Sequence, residues 1–189
     1  MKQTTPYQPP ELDTPLWRYA LAFYRRPGVS EACLSLQAHI GLDVCVLIYA
    51  LYAVQSERLI TADSLLKTDQ VLKAWREQVV MPLRQIRQAT KFGISGIAQN
   101  ENNWVREQIK TTEVNAEQVA LAYLDSQIYK LTHTQAEEHE RSNRTQHALN
   151  CVLDYFAKEQ GHSLEALQSA DVRSALALVT KEALDLQKE

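Results

Sequence analysis

The sequence predicts an all-α fold, a compact helical bundle around one buried central helix. Three observations carry that reading. Five Gly and six Pro stand among 189 residues, and four of the Pro fall at 6, 9, 10 and 15, so the rest of the chain has few breakers. Apolar residues recur at helical spacing over most of the length, and no stretch of useful length alternates with period two. The most apolar run, Val44 to Val54, is far shorter than the roughly 20 residues a membrane span needs, and reads as a helix at about 43–55 buried on all sides.

The elements follow in order. Asp13 or Thr14 caps a first helix with Pro15 in its first turn, where a missing N–H costs nothing. Leu16, Trp17, Ala20, Leu21 and Tyr24 form its stripe, and Pro27-Gly28 turns the chain. A second helix over about Ser30 to His39 turns Ala32, Cys33, Leu36 and Ile40 inward and stops at Gly41. Asp43 caps the apolar third helix, and Thr61 a fourth. The fourth carries Leu65, Leu72, Trp75, Val79, Leu83 and Ile86, and Pro82 inside that stripe implies a kink or a break. Phe92 to Gly96 ends it, and Gln99 to Asn103 reads as a polar loop.

A long helix follows, at about 101–131 or beyond. Val105, Ile109, Thr112, Ala116, Val119 and Tyr123 are spaced 4-3-4-3-4 and Leu124, Ile128 and Leu131 extend them, a coiled-coil-like seam fit for the fourth helix or for a second copy. Residues 132–146 are polar, an extension of that helix or a linker. Leu149, Val152, Leu153 and Phe156 then mark an amphipathic helix ending at Gly161, and Ser163 and Asp171 read as caps of further pieces. The expected organisation is a flexible arm at 1–12, a helical core at 13–131, the polar stretch at 132–146, and amphipathic helices at 147–189.

Composition sets outer bounds. With 45% apolar and 23% charged residues, collagen-like, disordered and disulfide-scaffold classes are excluded. A formal charge of −3 argues against a dedicated nucleic-acid binder, and no DNA-binding signature stands out. Cys33, Cys45 and Cys151 are an odd number without close spacing, which reads as reduced thiols rather than disulfides. The first fifteen residues lack the apolar stretch of a signal peptide. The expected location is cytoplasmic, with no membrane span.

The polar residues give few chemical leads. A basic stripe of Lys73, Arg76, Arg84, Arg87 and Lys91 is followed by an acidic series beginning at Glu113 and Glu117 on the long helix. The plainer reading is that the two helices are neighbours whose charges pair. The sharper one is that Arg84, Arg87 and Lys91 bind an anion or RNA, Arg being suited to planar bidentate contacts. Arg106, Lys110, Glu113 and Glu117 form a second stripe, whose carboxylates could act as acid and base only if they faced a cleft. His147 and Cys151 sit four apart, but no second pair completes a zinc site. No phosphate loop, dinucleotide fingerprint, nucleophile elbow or HExxH motif is present, so no catalytic residue, cofactor or metal is assigned.

Four strings, LWRYALAFYRRPGVSEACLSLQ (16–37), GLDVCVLIYALYA (41–53), AWREQVVMPLRQIRQATK (74–91) and VREQIKTTEVNAEQ (105–118), together resemble a proteobacterial family of small helical proteins catalogued as a conserved domain of unknown function. The resemblance covers about 14–130. Its most specific parts are Pro27-Gly28-Val29, Ala32-Cys33-Leu34, Leu36-Gln37, Gly41, Asp43-Val44 and Pro82-Leu83-Arg84. An Asn usually follows the Asp-Val pair in that pattern, and Cys45 stands there here. The resemblance implies a cytoplasmic helical domain and no activity.

Gln37 and Asp43 are polar beside apolar helices, and buried polar groups need partners. Capping and internal hydrogen bonds satisfy them on one reading; on the other, Gln37, Asp43, Arg84 and Lys110 line a small polar pocket. The ligand-binding candidates are therefore Gln37, Asp43, Arg84, Arg87, Lys91, Lys110, Glu113 and Glu117. The favoured function is a non-enzymatic module that docks on a protein partner or on its own copy. The alternatives are a binder or enzyme for a small anionic ligand near Arg84, and an RNA or ribonucleoprotein contact along Lys73–Lys91.

Overall fold

A computed structural model describes residues 10–135, 138–161 and 168–187. The fold is all-α: among these residues the only β pairing is an isolated bridge between Arg58 and His133. The helices are α1 (Pro15–Tyr24), α2 (Val29–Ile40), α3 (Val44–Gln55), α4 (Ala62–Trp75), α5 (Met81–Ala89), α6 (Gln99–Ile128), α7 (Glu138–Gln160) and α8 (Ala170–Leu186). Residues 1–9 of the expected arm and the expected cap Ser163 lie outside the described residues.

The caps explain where most helices begin. The Thr14 hydroxyl accepts from the Trp17 N–H at 3.2 Å, and Asp125 of α6 accepts from the Leu16 N–H at 2.9 Å, tying the start of α1 to the long helix. Asp43 Oδ1 accepts from the Cys45 and Val46 N–H groups. Thr61 and Ser64 form a reciprocal capping box. The cap of α8 is Ser169, accepting from the Val172 N–H, rather than Asp171, which lies inside the first turn.

One expectation about the middle of the chain is corrected, and one of two alternatives at Pro82 is removed. Residues 99–103 form the first turns of α6 and not a loop, because Gln, Asn and Glu tolerate an exposed helix and Asn102 is anchored by donating to the Thr90 carbonyl at 2.8 Å. Pro82 does not break the helix. One π-helical turn, Arg76–Val80, joins α4 to α5, and the Met81 N–H reaches back five residues to the Arg76 carbonyl. The wider turn makes room for a ring that cannot donate and would crowd the carbonyl four residues earlier.

α3 lies at the centre with most of its residues buried, packed by α1, α2, α6 and α7. Residues beyond 131 join the same interior: Leu149, Val152 and Phe156 of α7 and Val172 and Val179 of α8 belong to one cluster with Leu47, Ile48 and Leu51. α7 packs on α3 and α4, and α8 packs on α2. The expected seam on α6 is buried only in part, at Ala116, Leu124 and Ile128, with Leu131 buried just beyond the helix. Asn102, Glu113, Ala116, Ala120, Leu121, Leu124 and Ile128 are buried, whereas Val105 and Thr112 are exposed and Val119 and Tyr123 half-buried. Ile86 of the fourth stripe is exposed as well.

α5 and the first half of α6 form an antiparallel hairpin that stands off this core. α5 packs on α6 and on the π turn, and none of its residues is buried. The buried residues of α6 before Ala116 are polar, Asn102 and Glu113. The hairpin has its polar side in and much of its apolar side out.

Candidate functional site

The helix ends around Asp43 and the π turn surround a cleft of about 820 Å3. The C-terminal part of α2, the loop into α3, the α4–α5 junction, the middle of α6 and the end of α7 line it. Gln37, Gly41, Asp43, Cys45, Arg84 and Glu117 all face it, although the sequence spreads them over 80 positions. Gly41 takes a left-handed φ of 69°, and a Cβ there would meet the Gln160 side chain at 2.9 Å, so the wall needs glycine.

A charged network forms the cleft floor. Arg76 Nη1 donates to Asp43 Oδ2 at 2.8 Å and to Asp69 Oδ1 at 2.7 Å, while its Nη2 donates to Asp69 Oδ2 at 2.8 Å. The Tyr155 hydroxyl donates to Asp69 Oδ2 at 2.8 Å, and the Arg76 guanidinium lies over the Phe156 ring at 5.5 Å. Asp69 is 1% exposed. Buried charge is tolerated here because both carboxylate oxygens find donors, one on Oδ1 and two on Oδ2. Lys73 closes the rim, donating to Glu159 at 2.6 Å.

A second network sits beside it. Arg84 donates through Nε to Glu113 at 3.1 Å and through Nη2 to Glu117 at 2.7 Å. Arg87 also donates to Glu113 through Nε and Nη2. Burial pushes the Glu113 carboxyl up, but the hydrogen bonds from Arg87 and Arg84 outweigh it and leave it below its ordinary value. Glu117 goes the other way: burial raises it, Glu113 adds to the rise, and Arg84 only partly offsets both. Burial, and then the charges of Asp43 and Glu117, push the Cys45 thiol up. Burial takes Cys33 to about 12. All three cysteines are free: Cys33 is buried, and Cys45 and Cys151 are half-buried.

Of the expected ligand-binding residues, Gln37, Asp43, Arg84 and Glu117 come together in the cleft. Glu113 lies behind Arg84, buried in the hairpin. Arg87 faces Glu113, and Lys91 lies over the Phe92 ring at 5.3 Å. Lys110 is exposed and reaches only Glu107, at 3.5 Å, so the expected pocket of Gln37, Asp43, Arg84 and Lys110 lacks its fourth member. Arg84 and Arg87 pair with carboxylates of α6, as the plainer sequence reading has it, whereas Arg76 pairs with Asp43 and Asp69.

Sequence reasoning missed Asp69, Tyr155 and Glu159 as part of this site. Asp69 was legible: it falls between Leu65 and Leu72 on the inward stripe of α4, where a lone acid demands a partner. The α7 residues were not, because nothing local says which helix faces α4. Among the described residues no group of three His, Cys, Asp or Glu could hold a metal ion; His147 and Cys151 meet only each other, at 3.6 Å.

Two apolar surfaces lie elsewhere. A groove of about 480 Å3 between α4 and α6 is lined by Val71, Trp75, Val79, Val119 and Tyr123. At the far end of the hairpin, Phe92 is 87% and Trp104 67% exposed, with Ile94 and Ile97 also exposed.

A family model described as a protein of unknown function (DUF2390) matches residues 15–124. No curated protein and no solved structure matches the chain.

Proposed function

The chain belongs to that family, and we propose that its cleft binds a small polar ligand held between groups of both charge signs. One observation carries this reading. Gln37, Gly41, Asp43 and Arg84, all within the stretch the family model matches, line one cleft although they are far apart in the sequence. Its volume of about 820 Å3 lies within the ordinary range for small-molecule sites. A π-helical turn forms one wall, and such turns concentrate at functional sites. Arg84 keeps one amino group, Nη1, and Glu117 one oxygen, Oε2, outside their mutual pairing, so a ligand can approach a donor and an acceptor side by side. Because Arg76, Arg84 and Lys73 already face carboxylates, a simple anion gains little net charge there, and a ligand of balanced charge fits better.

Equilibrium dialysis against a small-molecule cell extract, read by mass spectrometry, tests this. Wild type enriches at least one species that Gln37→Trp does not, since that change fills the cleft without removing a charge. If neither protein enriches anything, the reading fails.

The docking-module reading keeps one specific support, the α4–α6 groove, into which an apolar helix of a partner protein could lay its ridge. The RNA reading is weakened, because Arg84 and Arg87 turn inward to Glu113 and Glu117.

A further inference from the structure

We propose that the tip of the α5–α6 hairpin docks on an anionic lipid surface, with Phe92, Ile94 and Ile97 entering the interface and Trp104 lying at its level. The inference is independent of the cleft and rests on three features of the hairpin.

The first is exposure. Phe92, Ile94, Ile97 and Trp104 gather within thirteen residues, and burial inside the hairpin relieves none of them. Apolar surface in water is costly in proportion to its area, and an exposed set like this marks a contact face. Gly93 and Gly96 hold left-handed φ values of 83° and 87°, which bring the intervening residues round in a tight turn. Around Gly96 a Cβ would meet nothing within 4 Å, so the tip is open.

The second is shape. The hairpin stands off the core with a polar seam of Arg84, Arg87 and Glu113 inside it. Its apolar residues lie at the end of a projecting arm and not in a groove. A rigid partner must present a matching concavity to cover such a tip, whereas a fluid interface accepts it without one.

The third is charge. The tip, residues 88–100, carries Lys91 and no acidic residue, in a chain whose total is −3, while Arg84 and Arg87 behind it are paired with Glu113 and Glu117. The tip is thus a cationic spot on an acidic molecule. An anionic surface attracts that spot more than the acidic remainder, which favours the tip turned toward the headgroups. Lys91 beside Phe92, with Trp104 nearby, repeats the pairing of cations and aromatic rings found at membrane interfaces. No helix of the described chain is long and apolar enough to cross a membrane, so this contact is peripheral.

The test is sedimentation of the full chain with sucrose-loaded vesicles, either phosphatidylcholine alone or phosphatidylcholine with about a quarter phosphatidylglycerol. Binding is expected to the phosphatidylglycerol vesicles and to weaken with added salt. The double variant Phe92→Ser/Ile94→Ser lowers the partition coefficient by about ten- to a hundredfold, with helical content and melting temperature unchanged because both residues are exposed. Lys91→Glu weakens binding to the charged vesicles and leaves the neutral ones as they were. Tryptophan emission shifts to the blue on vesicle addition, and Trp104→Phe, which leaves Trp17 and Trp75, removes the shift. The proposal is overturned if no vesicle pulls the chain down at low salt, or if the double variant binds as well as wild type. It is also overturned if light scattering shows self-association that the double variant abolishes while vesicles bind neither protein.

Discussion

Replacing Asp69 with Ala tests whether the charged floor of the cleft holds the fold. Asp69 is almost fully enclosed and accepts three hydrogen bonds, two from Arg76 and one from Tyr155. Its loss strands the Arg76 charge beside the core. Breaking a buried pair by removing one partner costs about 3–5 kcal/mol. Arg76 keeps Asp43 at 2.8 Å and some contact with water, which places the expected cost at the lower end, about 3 kcal/mol. For a chain of this size each kcal/mol moves the melting temperature by about 2–4 °C, so a fall of about 6–12 °C follows. The urea midpoint must fall at an unchanged slope, since the compactness of the native state is not at issue. Tyr155→Phe alone costs about 1.5–3 kcal/mol, the range for a hydrogen bond to a charged acceptor. The double variant must then fall short of the sum of the two losses by more than about 0.5 kcal/mol, because the residues share one network. A loss below about 1 kcal/mol for Asp69→Ala, or strict additivity with Tyr155→Phe, refutes the reasoning.

Further outcomes are expected from other parts of the structure. Asp43→Ala removes the cap of α3 and one partner of Arg76 together, and lowers stability by about 2 kcal/mol in urea titration. Glu113 titrates below its unfolded value, so its contribution is present above the ordinary carboxylate range and is lost as pH falls through the folded value. Glu117 titrates above its unfolded value, so its protonation favours the folded chain as pH falls. Between about pH 7 and pH 3, Glu113→Gln therefore flattens the loss of stability in acid and Glu117→Gln steepens it. Gly28→Ala forces a left-handed φ of 78° on alanine and sets its Cβ 2.8 Å from the Leu178 side chain, while Gly96→Ala meets open space. A melting comparison should show Gly28→Ala as the costlier by about 1 kcal/mol or more. Cys33, enclosed and with its thiol pushed up to about 12, should resist alkylation in the native state and label fully in urea, as mass spectrometry of tryptic peptides can read.

Much of the framework was legible because it is local. Thr14, Asp43 and Thr61 announce their helices by side-chain chemistry, Gly41 announces a stop, and the apolar run through α3 can only be a core. The start of α6 was misread because Gln99 to Asn103 look like a loop by composition, and the Asn102 bond to the Thr90 carbonyl that anchors them joins different elements. The first half of the seam failed for a related reason. Heptad spacing tells that a helix can present Val105, Ile109 and Thr112 to a partner, but not that Arg84 and Arg87 will claim the neighbouring face through Glu113. The cleft was half legible. Gln37, Asp43 and Arg84 were marked as polar residues needing partners, whereas Tyr155 and Glu159 come from a helix whose placement against α4 is decided only by tertiary packing.

The π turn at Arg76–Val80 has a consequence for how this segment tolerates change in length. Each residue of an α-helix advances the side-chain direction by about 100°. A π turn accommodates one residue more than the regular helix, so everything after it is set back in phase by about that angle. α4 and α5 are therefore one continuous rod with two differently aimed faces, the first turning Asp69 to the core and the second turning Arg84 and Arg87 to α6. Deleting a single residue between 76 and 80 relaxes the bulge into a regular helix: the lost residue and the recovered phase cancel, and α5 stays aimed at Glu113 and Glu117. Adding a residue there has no bulge to relax and swings α5 round by about 100°. The aim of the hairpin is stored in a residue count, and the junction tolerates the loss of one residue better than the gain of one.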